Sequence, residues 1–121
     1  MSRVERAREL QVRTKKFALR IIRAFSRLPK TEEARVLGRQ FLRSGTSVAA
    51  DYRAACRARS AADFISKISV VVEEADETLF WLALLVEAEL IKSQTVEPLL
   101  LECGELLKIF SAALATAKAN R

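Results

Sequence analysis

Ser60-Ala61-Ala62-Asp63-Phe64-Ile65-Ser66-Lys67-Ile68-Ser69-Val70-Val71-Val72-Glu73-Glu74-Ala75-Asp76-Glu77-Thr78-Leu79-Phe80-Trp81-Leu82-Ala83-Leu84-Leu85-Val86 is the stretch that decides the fold of this chain. Ile65, Ile68, Val72, Ala75, Leu79, Leu82 and Val86 recur at alternating spacings of three and four. Such a stripe belongs to a helix seated in a bundle with left-handed packing. Ser60, followed three positions later by Asp63, resembles a capping box, with Asp standing for the longer Glu. The pattern predicts a helix over residues 61–91.

The same period runs outward on both sides. Leu10, Thr14, Phe17, Ile21, Ala24 and Leu28 predict a helix over 5–28, closed by Pro29. Thr31 caps the next, over 32–58, with Glu32 and Glu33 in its first turn where the helix dipole favours acid. Its stripe is Leu37, Phe41, Gly45, Val48, Tyr52 and Ala55 or Cys56. Beyond the central helix, Thr95 is expected to cap a fourth over 96–117, with Pro98 in its first turn. Val96, Leu99, Cys103, Leu106, Phe110, Ala113 and Ala117 form that stripe. Connections of two to five residues force antiparallel neighbours. The expected fold is all-α: an antiparallel up-down-up-down four-helix bundle, one domain over residues 1–121, with helices about 35–40 Å long. Three Gly and two Pro are too few for the turns of a sheet-rich fold.

Composition narrows the function classes. The chain lacks histidine altogether, which removes Ser-His and Cys-His nucleophile pairs and the Glu-x-x-His ligand sets of di-iron bundles. Glu73, Glu74, Asp76 and Glu77 are read as salt-bridge partners and not as a metal site. We expect no enzyme, no cofactor and no metal. Cys56 and Cys103 lie in apolar helical stretches and are expected to be small buried side chains in a reducing compartment. The longest apolar run, Leu79 to Val86, falls short of the ~20 residues of a membrane span. With the polar start from Ser2 to Arg6, this gives the expectation of a soluble cytoplasmic protein.

Charge is the strongest functional clue. Residues 1–59 hold 16 basic and 5 acidic residues, an excess of 11, whereas residues 60–121 hold 5 basic and 10 acidic. Arg13, Lys16, Arg20, Arg23 and Arg27 follow the spacing of the first apolar stripe shifted by one residue, so they line one edge of that helix. Arg35, Arg39 and Arg43 form a second row at i, i+4 and i+8, and Arg53, Arg57 and Arg59 cluster at the following turn. Cations at ~5–6 Å pitch can track a phosphate backbone. The competing reading pairs them internally, with Glu73, Glu74, Asp76 and Glu77 as partners. Phe17, Phe25 and Phe41 fall on or beside apolar stripes and are assigned to the core. Tyr52, beside Arg53, is left open as a partly exposed ring. Backbone contact or RNA shape is therefore expected over base reading. The candidate contacts are Arg13, Lys16, Arg20, Arg23, Arg27, Arg39, Arg43, Arg53 and Arg57.

Two further features concern packing. Ser44-Gly45-Thr46-Ser47 are poor helix formers in mid-helix, and Gly45 is read as a point of close helix approach. Phe80, Trp81 and Leu84 lie beside or opposite the seam of the central helix, so they are expected to meet another subunit.

The run Phe41-Leu42-Arg43-Ser44-Gly45-Thr46-Ser47-Val48-Ala49-Ala50-Asp51-Tyr52-Arg53, then Arg57-Ala58-Arg59-Ser60, Asp63-Phe64 and Glu73-Glu74-Ala75-Asp76-Glu77, resembles the bacterial four helix bundle proteins first noticed as products of intervening sequences in large-subunit ribosomal RNA genes. The resemblance extends over roughly Arg13 to Phe110. Asp51 stands where that family often has Asn, and Arg53-Ala54-Ala55 replaces a common Glu-Gly. The resemblance implies a four-helix bundle assembled as a ring, a pentamer being the expected form. It also implies relatives that act as accessory proteins, among them the basic partner of reverse transcriptases in diversity-generating retroelements. The expectation is a non-enzymatic accessory protein associating with nucleic acid, RNA before DNA, or with a nucleic-acid-bound protein. The alternative is a structural adaptor ring that binds an acidic protein while its arginines serve salt bridges.

Overall fold

A computed structural model describes all residues, Met1 to Arg121. It consists of α1 (Arg3–Ser26), α2 (Glu32–Ala55), α3 (Ala61–Glu87) and α4 (Ser93–Ala119), joined by three five-residue connections. Successive helices pack along their length, α1 on α2, α2 on α3 and α3 on α4, whereas α1 and α4 meet at only a few points. The bundle is thus left partly open along its α1/α4 seam.

Local chemistry sets the helix ends. Ser2 and Glu5 close a full capping box at the start of α1: the Glu5 amide donates to Ser2 Oγ (3.1 Å) and the Ser2 amide to Glu5 Oε1 (3.3 Å). Thr31 Oγ1 accepts from the Ala34 amide, as expected. Ser60 Oγ accepts from the Asp63 amide, and Asp63 Oδ2 reaches back one residue past the cap to the Arg59 amide (3.0 Å).

The fourth helix departs from expectation. It begins at Ser93 behind Lys92, which supplies no side-chain cap, so Thr95 lies inside the first turn and Pro98 inside the helix. The reason lies upstream. α3 stops at Glu87, short of the expected residue 91, in a Schellman turn: the Leu90 amide bonds to the Leu85 carbonyl (3.0 Å) and the Glu89 amide to the Val86 carbonyl (2.9 Å). Leu90 and Ile91 thereby fold back against the core, and the chain re-enters a helix sooner than Thr95 suggested.

The core joins all four helices, with Phe17, Phe41, Phe110, Ile21, Ile68, Leu82, Leu85 and Leu106 fully enclosed. In α3 the buried seam is Ile65, Ile68, Val71, Ala75, Thr78, Leu82 and Leu85, while Val72, Leu79 and Val86 are half-buried at its flank. The seam is turned by one residue toward α2 because Thr78 is buried there, donating to the Glu74 carbonyl (2.6 Å) and contacting Ser44 Oγ (3.0 Å). The glycines of α2 face α1. A Cβ added at Gly45 would lie 2.7 Å from both Ile21 Cγ1 and Cγ2, so close approach at this glycine is real. Tyr52 is buried against Phe110, ring centroids 4.9 Å apart, which corrects its reading as a partly exposed ring. Both cysteines are free. Cys103 is buried with Sγ 3.4 Å from the Ala75 carbonyl, and burial pushes its thiol up to about 12. Cys56 is half-buried.

Candidate nucleic-acid interface

Helix geometry places the α1 cations on the edge that faces α4. The structure divides them. Arg13 is held by α4: its Nε and Nη2 donate to the two oxygens of Glu102 at 2.8 and 2.7 Å, and Nη2 lies 3.0 Å from Glu105. The Arg13 hydrogen bonds hold the Glu102 carboxyl below its ordinary range. A bidentate pair of this kind is among the stronger polar contacts, and it withdraws Arg13 from the candidate contacts. The acids that bind it, Glu102 and Glu105, lie on α4 and not among the α3 acids that sequence alone offers as partners.

Lys16, Arg20, Arg23 and Arg27 continue the row with no carboxylate within ion-pair distance. Arg20, Arg23 and Arg27 border a recess of about 130 Å³ whose opposite wall is Ile91, Thr95, Val96 and Leu99. This recess is where α1 parts from α4.

On α2, Arg43 crosses to α3. Its Nη2 donates to Glu77 Oε2 (3.0 Å), and its Nη1 lies 3.5 Å from Glu74 Oε2. The second contact is too poorly aligned for a hydrogen bond, so Glu74 Oε2 is buried without a donor. Desolvation, followed by repulsion from Glu77, pushes the Glu74 carboxyl above its usual range. Arg43 therefore leaves the candidate list with Arg13. Arg39 stays exposed and unpaired, and Arg35 makes one long contact with Glu32 (3.8 Å).

Arg53, in the last turn of α2, and Arg57, in the connection after it, are both exposed. With Arg59 and Lys67 they ring an open depression of about 850 Å³ over Ala50 and Ala54. Asp63 is the one acid there, and it is already engaged by Lys67 Nζ at 2.7 Å. Arg59 and Lys67 were absent from the expected contacts. The signal for Lys67 was its place four residues after Asp63, which turns it toward the basic turn.

Seven of the nine expected contacts thus remain free of acids: Lys16, Arg20, Arg23, Arg27, Arg39, Arg53 and Arg57. No exposed aromatic ring stands among them. Phe17 and Phe41 are buried, Phe25 is half-buried, and the one exposed aromatic, Phe80 (58 %), lies on the outer face of α3. Phe80 touches Trp81 edge-on, centroids 5.0 Å apart. Trp81 packs against the monomer core with its indole N–H buried and unpartnered, and Leu84 is half-buried. No group of three or more Cys, Asp or Glu is placed to hold a metal ion, and no helix is long and apolar enough to cross a membrane.

The sequence profile of the 23S rRNA-intervening sequence protein family matches residues 8–112. The chain belongs to this family. The crystal structure of a protein of unknown function from the S23 ribosomal protein family of Bacteroides thetaiotaomicron, at 1.70 Å resolution, superimposes with a TM-score of 0.80. The two are 35 % identical, and the match covers 86 % of this chain and 96 % of that one. No match is found among curated proteins. Membership agrees with the resemblance carried by the α2–α3 motif, and the all-α bundle is common to this chain and its structural neighbour.

Proposed function

We propose that this 23S rRNA-intervening sequence protein is a non-enzymatic accessory protein that holds RNA by its phosphate backbone. One observation carries the reading. Of nine expected contacts, seven have no acid partner: four line the α1 edge, and Arg39, Arg53 and Arg57 lie on α2 and the turn that follows it. A formal charge of +6 survives internal pairing and raises the local concentration of polyanions. Without exposed aromatics among the cations, the contact is to phosphate and shape, so affinity is high for many sequences and selective for few. The adaptor alternative needs most arginines to be consumed in salt bridges, and only Arg13 and Arg43 bridge helices.

The reading includes self-association. Phe80 is a large exposed ring opposite the buried seam of α3, continuous with Trp81 and Leu84. A second copy covering it accounts for an apolar face in water, and a pentameric ring is the form expected of the family. Phe80→Glu should shift the mass measured by light scattering toward the 13.6 kDa monomer. A monomeric wild type would refute the assembly.

The test of RNA association is fluorescence anisotropy with a short single-stranded RNA and a DNA of the same sequence. Affinity should fall steeply between about 50 and 200 mM salt. Absence of binding at about 50 mM salt would overturn the reading. Capture of an acidic protein that Arg20→Glu/Arg23→Glu abolishes, with no RNA binding, would favour the adaptor.

A further inference from the structure

The depression at the α2–α3 turn differs in kind from the α1 row. The row is linear; the depression is concave, and its cations surround one space. Arg53 stands in the last turn of α2, and Arg57 and Arg59 enter from the connection that follows it. Four cations and one carboxylate line it, a local excess of three positive charges. The Asp63 charge is spoken for: both its oxygens accept from Lys67 Nζ at 2.7 Å, and Oδ2 also accepts from the Arg59 amide. These bonds hold the Asp63 carboxyl below its ordinary range. Asp63 therefore neutralises Lys67 and anchors the turn, leaving the three guanidinium groups with nothing to bind.

The backbone does not cancel them. The C-terminus of α2 and the N-terminus of α3 flank the depression with opposite dipole ends, so the side chains set the field. The floor is Ala50 and Ala54, small residues that let a ligand approach the helix. At about 850 Å³ and open to solvent, the depression admits a charged ligand without enclosing it. Four of its seven lining residues are cations, which favours an anionic ligand. Guanidinium forks match phosphate oxygens in pairs. Several forks around one space suit several phosphates joined together, whereas a passing polymer backbone presents its phosphates in sequence along a row.

We propose that Arg53, Arg57 and Arg59 form a site for a run of linked phosphates, supplied by the 5′-triphosphate end of an RNA or by a free nucleoside triphosphate. The first source deepens the RNA reading by giving the bound strand a marked end. The second stands without it.

The experiment measures anisotropy of one short RNA carrying either a 5′-triphosphate or a 5′-hydroxyl, with ATP and inorganic triphosphate as competitors, and ATP binding by calorimetry. Wild type should prefer the triphosphate end by about tenfold, the value of roughly one charge-assisted contact. Arg53→Gln/Arg57→Gln, at exposed positions, should abolish the preference with an unchanged melting curve. Arg20→Gln/Arg23→Gln should weaken both RNAs and keep their ratio. ATP binding that depends on Arg53 and Arg57, without RNA binding, would uphold this site and refute the RNA reading. RNA binding with equal affinity for both ends and no competition by ATP would refute the site and leave the RNA reading standing. A preference that survives Arg53→Gln/Arg57→Gln would also overturn the assignment.

Discussion

Gly45 and Gly104 both sit in mid-helix, and the same substitution should act on them with opposite sign. At Gly45 an added methyl would meet both Cγ atoms of Ile21 at 2.7 Å. Ile21 is β-branched, and its χ1 is fixed on a helix, so α1 and α2 would have to part. Gly45→Ala should lose about 1–3 kcal/mol through overpacking, more than the ~1 kcal/mol gained in helix propensity. At Gly104 the methyl meets nothing within 4 Å, and Gly104→Ala should gain about 0.5–1 kcal/mol. Urea unfolding of the two variants checks both signs. A stabilised Gly45→Ala would mean that the helices do not approach as described. Glu89 is the one non-glycine residue with positive φ (61°), at the position of the Schellman turn that glycine usually fills. The left-handed conformation costs about 1–2 kcal/mol there, and glycine returns about 0.5–1 kcal/mol of that to the unfolded chain. Glu89→Gly should therefore raise stability by up to about 1 kcal/mol, read as a higher melting temperature.

At the scale of the helices, apolar spacing was legible in the sequence and polar partnership was not. The stripes of α1, α2 and α4 are buried much as periodicity predicts, since Leu, Ile and Phe announce their side of a helix. Thr78 does not, because its burial depends on Ser44 across the α2–α3 contact. Helix ends are less visible still: Glu89 gives no sign in sequence of a left-handed residue, so periodicity alone carries α3 on to residue 91 and makes Thr95 a cap. The basic rows were readable as rows. Which arginines are consumed was not, because that depends on the relative depth of helices remote in the chain, as with Arg13 and Glu102. That pair has a pH signature. Glu102 is held below its ordinary value, so the stability it contributes is complete above about pH 4.5 and is lost as pH falls through its lowered folded value. Arg13→Ala should lose about 1 kcal/mol at pH 7, after screening of a pair that is partly exposed, and the loss should shrink below about pH 4. Glu74 runs the other way. Its value is raised, so its ionised form opposes folding above that value and the penalty is relieved on acidification. Glu74→Gln should match or exceed wild type at pH 7, with any gain gone below about pH 4.5. Thermal unfolding across pH 3.5–7 distinguishes the two signs.

For the whole molecule, order along the chain becomes order in space. Because α1 packs on α2 and α3 on α4, the basic half of the sequence is one side of the bundle and the acidic half the other. Each seam between the sides carries one arginine clamp, Arg13 onto Glu102 and Glu105 at α1/α4, and Arg43 onto Glu74 and Glu77 at α2/α3. The clamps join the halves without neutralising the cations on the outer surface. This division of labour can be measured. A cation that meets phosphate releases a counterion from the RNA, and each contact to a single strand contributes about 0.7 to the slope of log affinity against log salt. Arg20→Gln/Arg23→Gln/Arg27→Gln should therefore flatten that slope by about 2 at little cost in stability, since none of the three has an acid to lose. Arg13→Gln/Arg43→Gln should do the reverse: the slope holds while the melting temperature falls, because those charges are already compensated inside the protein. If the clamp variants flattened the slope and the edge variants did not, the arginines facing α3 and α4 would be the ones that grip RNA, and the open edge of α1 would be merely solvated.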